Sequence, residues 1–194
     1  MSNNGPPSNV QQRKLLLGVS AGIAAYKAAE LTRLLVKADM SVQVVMTRGA
    51  QQFITPLTLQ ALSGREVRSE LFDPAAEAAM GHIELARWAD LIVIAPASAD
   101  IMARLAHGLA DDLLSTLCLA TTAPLWLAPA MNQQMWQHAA TQANAAVLQQ
   151  RGVRLLGPDS GDQACGETGP GRMLEAATIS SEILAHFGLV SGHD

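Results

Sequence analysis

The stretch "DLIVIAP", Asp90 to Pro96, is apolar without interruption once past its aspartate. A strand with one wet face alternates polar and apolar residues. A continuous apolar run of this length predicts a strand covered on both faces, as in a parallel sheet. "KLLLGV" (14–19), "SVQVVMT" (41–47) and "PLWLAPA" (124–130) have the same character, and "VRLLGP" (153–158) reads as a last strand. Between these runs the apolar spacing is helical. Ile23, Leu31, Leu34 and Leu35 share one stripe, and residues 50–64 are helical with Pro56 permitting a fresh start and Gly64 a stop. Residues 99–108 and 111–122 follow, then one long helix over 132–151 closed by Gly152, and a final helix before Gly188. Residues 158–172, rich in Gly and Pro, read as a loop.

Strands alternating with helices require right-handed crossovers, so the expected fold is α/β: a Rossmann-type, doubly wound parallel sheet in a single domain. The domain is expected over 13–187, with a polar, disordered arm at 1–12 and a tail at 188–194. A net charge of -4, with no basic run, gives nucleic-acid binding no electrostatic support, and 4% aromatics offer no stacking surface. No apolar run approaches the roughly 20 residues of a membrane helix, and residues 1–12 lack the apolar centre of a signal peptide. The two cysteines, Cys118 and Cys165, form no metal-type pair, and a reduced, cytoplasmic setting is the simplest expectation.

Chemistry in such folds collects beyond the C-terminal ends of the strands. "GVSAG" (Gly18–Gly22) matches the G-x-S-x-G elbow of hydrolases, but it lies on the first strand, where nothing precedes it to supply an oxyanion loop. A strand-to-helix turn of small residues suits an anion instead. There is no G-x-G-x-x-G, and the second strand ends in Thr47-Arg48 rather than an acid, so a dinucleotide is disfavoured. Ser20, Thr47 and Ser98 each follow a strand, and three hydroxyls on one edge suit the phosphate and polyol of a flavin mononucleotide. With the turn residues Gly18 and Ala21, and Asp100 in "APASAD", they form the expected cofactor set.

His82 follows a glycine just before the strongest strand, and His107, His138, His186 and His193 stand at no ligand-like spacing from it, so no metal is expected. Taken in isolation, His82 reads first as a partly buried structural histidine. In "PAMNQQMW" (129–136), Asn132 sits at a strand-to-helix junction between Met131 and Met135. It suits either a ligand or a helix cap, and the methionines suit either a pocket wall or packing. Cys118 lies in an apolar helix and reads as core, whereas Cys165 lies in the Gly-rich "ACGETGPGRM" (164–173).

Taken together, "GVSAGIAAYK", "TPLTLQALSG", "DPAAEAAMGHIELARWADLIVIAPASAD", "DDLLSTLCLA", "PAMNQQMW" and "ACGETGPGRM" resemble the flavin-dependent cysteine decarboxylases over roughly 13–187. The nearest likeness is to the branch that acts on phosphopantothenoylcysteine. The resemblance implies a flavodoxin-like domain binding FMN, assembled as homotrimers or dodecamers, and possible fusion to a synthetase domain. It implies oxidation of the substrate thiol to a thioaldehyde, loss of the adjacent carboxylate as carbon dioxide, and reduction of the ene-thiol to phosphopantetheine. His82 then matches the histidine of the oxidative step, Asn132 the carboxylate-binding asparagine, and Cys165 the proton donor of the last step. Ser20, Thr47 and Ser98 match flavin contacts. Two positions depart from the usual pattern: Ala21 where glycine is frequent, and Asp111 where asparagine is common. Relatives that act on the C-terminal cysteine of a peptide, or that only bind and regulate, are the alternative functions. A prenyl-flavin synthase fits less well, having no use for "PAMN".

Overall fold

The computed structural model describes residues 12–72, 80–162 and 166–189. Strand β1 (Lys14–Val19) explains the uninterrupted apolar runs. Its Leu15, Leu17 and Val19 belong to one apolar cluster and Leu16 to another, so both faces are covered. β2 (Ser41–Met46), β3 (Leu91–Ala97) and β4 (Leu125–Pro129) divide in the same way. In β3, Leu91, Val93 and Ala95 face one layer and Ile92, Ile94 and Ala97 the other, with a register shift between Ile94 and Ala97. β5 is short (Arg154–Leu155). All five pair in parallel, in the order β2-β1-β3-β4-β5. That is the flavodoxin-like order, whose switch point lies between β1 and β3.

One layer contains α1 (Tyr26–Lys37), contributing Ala28, Leu31 and Leu35, and α8 (Ala176–His186), contributing Ile179 and Ile183. Of the helical stretch expected over 50–64, α2 (Pro56–Ser63) takes the fresh start that Pro56 permits, with Thr55 as its cap, and ends at Gly64 as expected, while Ala50–Gln52 is a separate 3-10 turn. The opposite layer contains α3 (His82–Trp88), α4 (Ala99–His107) and α5 (Leu113–Ala120), the last opened by a capping box of Asp112 and Ser115.

Two expectations are corrected. The long helix over 132–151 is two helices, α6 (Gln133–Gln137) and α7 (Ala139–Gln150). His138 separates them: its backbone is extended, and its Nδ1 accepts from Ala140 N at 3.2 Å, capping the second helix with a ring nitrogen. The expected loop over 158–172 contains two antiparallel strands, β6 (Asp159–Asp162) and β7 (Thr168–Arg172). Their composition disfavours strands; cross-strand pairing and the Thr168 hydroxyl donating to Asp162 at 2.7 Å hold them. Residues 1–11, 73–79, 163–165 and 190–194 lie outside the described residues, and with them most of the expected arm and tail, and Cys165.

Candidate active site

A cavity of about 420 Å³ opens at the C-terminal ends of β1, β3 and β4. The turn after β1 supplies Ala21 to Ala24, and α1 supplies Tyr26 and Lys27. Ser98 and Ala99 come from the start of α4, Met131, Asn132 and Met135 from the β4–α6 junction, and Gly171 to Met173 from the end of β7. Thus Ala21, Ser98, Met131, Asn132 and Met135 of the expected site are brought together on one surface.

Gly18, Ser20, Thr47, Asp100 and His82 are not among the residues lining this cavity. Ser20 is buried; its hydroxyl donates to Pro96 O at 2.8 Å and accepts from Ser98 N at 2.9 Å. It therefore ties the β1 turn to the β3 turn at the switch point, fixing the edge on which Ala21 and Ser98 stand. Gly18 faces the α5 layer, where a Cβ would come 2.7 Å from Leu114 Cδ1. Its smallness serves sheet–helix packing. Thr47 accepts from Ala50 N, closing the turn after β2. Asp100 and Asp111 both pair with Arg104, whose hydrogen bond holds the Asp111 carboxyl below its ordinary range. Ala21 needs no glycine-only backbone angle, and its methyl fits against Gly49, where a Cβ would come within 2.9 Å of it. His82, half-buried at the first position of α3, is not among the residues lining the cavity.

Asn132 uses both ends of its amide. Its Oδ1 accepts from Gln134 N at 2.8 Å, capping α6, and this orients Nδ2 to donate to Glu167 Oε2 at 2.7 Å. The junction is pinned by Ala130 N to Ala97 O and by Met131 N to Gly171 O, at 3.0 and 2.9 Å. The cap and the ligand-type donor are therefore one side chain.

Lys27 was not anticipated. It is 6% exposed, and its Nζ donates to Met173 O at 3.1 Å and Glu175 Oε1 at 2.9 Å. Arg172 reaches the same oxygen at 2.7 Å. The Glu175 carboxyl is held below its ordinary value chiefly by the Lys27 hydrogen bond, which outweighs the cost of burial, with a smaller contribution from Arg172. The signal was in the sequence: Lys27 stands one helical turn before Leu31 on the buried stripe of α1. Burial, with Asp112 nearby, pushes the Cys118 thiol up to about 12, as befits the core residue that its apolar helix suggests. Among the described residues no three His, Cys, Asp or Glu side chains cluster as metal ligands would.

Comparison with known proteins agrees with this geometry. The chain is 61% identical over 174 residues to the coenzyme A biosynthesis bifunctional protein CoaBC of Vibrio cholerae, which covers 90% of this chain and 43% of that protein. The chain thus spans less than half the length of the curated relatives it matches. Among solved structures, a mutant PPC decarboxylase complexed with pantothenoylaminoethenethiol superposes with a TM-score of 0.80 at 32% identity, over 92% of this chain and 100% of that one. The FMN binding protein AtHal3 superposes with a TM-score of 0.78 at 32% identity, over 94% and 100%. A sheet of this order, a site at its switch point and a family match spanning residues 4–188 lead to one conclusion: the chain belongs to the Flavoprotein family.

Proposed function

We propose that this chain carries out the FMN-dependent decarboxylation of 4'-phospho-N-pantothenoylcysteine to 4'-phosphopantetheine, a step of coenzyme A biosynthesis. The observation that carries the reading is Asn132, whose amide is aimed by its own helix cap and already holds a carboxylate at 2.7 Å. An amide binds a carboxylate without the ground-state stabilisation that a cation would add, so the group is oriented yet remains easy to lose. Met131 and Met135 form an adaptable apolar wall beside it.

The residues present fit FMN. Gly22 leaves open space where a side chain would stand, and Ser98, which accepts from Ile101 N, keeps its hydroxyl hydrogen to donate. Bound FMN supplies the two-electron oxidation of the substrate thiol and the matching reduction. Ala21, Gly22 and Ser98 hold its polar groups, and Ser20 and Thr47 shape the turns that present them. Cys165, on the segment joining β6 to β7, delivers a proton to the ene-thiol carbon. His82 serves the earlier loss of carbon dioxide. It is not among the residues lining its own chain's cavity, and in this reading it reaches the site of a neighbouring copy in a homotrimer or a dodecamer. Ile23 and Tyr26, on the cavity wall yet 63% and 62% exposed, offer the apolar surface that a neighbour would cover. The relatives' greater length supports fusion to a synthetase domain in the full protein. No helix among the described residues is long and apolar enough to cross a membrane, and the reading places the enzyme in the cytoplasm.

Two variants test this division of labour. Cys165→Ser should release carbon dioxide from phosphopantothenoylcysteine and accumulate the ene-thiol, with the visible flavin absorption lost. His82→Asn should release none and stay yellow. Mass spectrometry showing normal phosphopantetheine formation by Cys165→Ser would contradict the assignment.

A further inference from the structure

The carboxylate on Asn132 belongs to the chain itself. Glu167 is exposed, and its Oε2 receives the Asn132 Nδ2 donor at 2.7 Å and a longer bond from Gln133 Nε2 at 3.3 Å. Its position follows from how β7 lies on the β4–α6 junction. Met131 N donates to Gly171 O, and Gly169 lies under Gln133, where a Cβ would fall 1.9 Å from Gln133 Oε1. That close approach, possible only for glycine with Gln133 so placed, aims two amide donors at one carboxylate oxygen.

We propose that Glu167 is a specificity-determining residue: an internal carboxylate that occupies the Asn132 donor until a ligand's carboxylate displaces it. This rests on the reading of Asn132 as the group that holds the substrate carboxylate. The Asn132 amide carries two N–H donors, but two carboxylates held on it would stand only a few ångströms apart, and their like charges repel. A ligand that brings a carboxylate exchanges one charge-assisted bond for another, and its apparent affinity is lowered by the fraction of molecules in which Glu167 holds the donor. A ligand without a carboxylate leaves Glu167 in place. Loss of carbon dioxide therefore removes the group that kept Glu167 away. The return of Glu167 to Asn132 then opposes rebinding of anything that still carries a carboxylate, and it makes the exchange of product for substrate a swap of one carboxylate for another.

The test uses the FMN-loaded protein and two probes. One is the substrate with serine in place of its cysteine, which keeps the carboxylate but has no thiol to oxidise. The other is the same molecule lacking the carboxylate. Calorimetric titration of Glu167→Ala should show the first probe binding about three- to tenfold tighter than in the unsubstituted protein, with the second unchanged. Glu167→Gln, which leaves a neutral and weaker acceptor, should fall between. Weaker or unchanged binding of the first probe, or a parallel shift of both, would overturn the proposal, the parallel shift being the mark of a merely mispacked β7. Asn132→Asp separates the two readings. If it binds the first probe as well as the unsubstituted protein does, the carboxylate role of Asn132 fails. If it binds that probe poorly while Glu167→Ala gains nothing, only the role of Glu167 fails.

Discussion

Asn132 meets two demands because an amide has an acceptor end and a donor end, and the helix cap uses only the acceptor. Aspartate could still cap α6, since capping requires an oxygen. It would offer no donor, and it would add a charge facing the substrate carboxylate. A lost hydrogen bond to a charged group costs about 1.5–3 kcal/mol, and repulsion adds about 1 kcal/mol or more. Asn132→Asp should therefore lower kcat/KM by about 100-fold or more, measured by steady-state product formation, with the flavin spectrum retained. Glutamine or alanine in place of aspartate would confound the cap with the donor. A normal kcat/KM in Asn132→Asp would leave the side chain with its capping role alone.

Among the elements, the legible parts were those governed by local pattern. Apolar runs marked β1 to β4 because each is covered on both faces, and the turn after β1 was found because its residues are small. Gly18, expected in the cofactor turn, also packs against the α5 layer: Gly18→Ala should put a methyl into Leu114 and Ile94 and cost about 1–3 kcal/mol. Chemical denaturation should show that loss, with FMN affinity unchanged once the protein is folded. A weaker FMN complex without lost stability would return Gly18 to the cofactor site. The break at His138 was not legible, since a histidine in a stretch rich in Gln and Ala looks helical until its ring is seen to cap Ala140 N. The β6–β7 pair was hidden because glycine and proline carry no strand signal and the pairing is held by tertiary contacts to α6. Lys27 was overlooked because a lysine near a helix start is ordinary on a surface, although its spacing to Leu31 put it on the buried stripe of α1, and the fold adds its ion pair with Glu175.

At the scale of the whole molecule, one chain supplies the cavity with Asn132 and Ser98, His82 is not among its lining residues, and the proposed function has a second copy bring His82 to the site. Mixing the inactive variants His82→Asn and Asn132→Asp, unfolding and refolding them together, should restore part of the activity, because mixed assemblies contain sites with both native residues. Refolding each alone should restore none, and failure of the mixture while both variants still assemble would place His82 in its own chain's site. The reaction itself is tested most directly with phosphopantothenoylcysteine labelled in its carboxyl carbon and the FMN-loaded protein. The label should appear as carbon dioxide in equal amount to the phosphopantetheine formed, with no external oxidant or reductant consumed. Bound FMN with the label retained in the organic product would contradict the proposed decarboxylation.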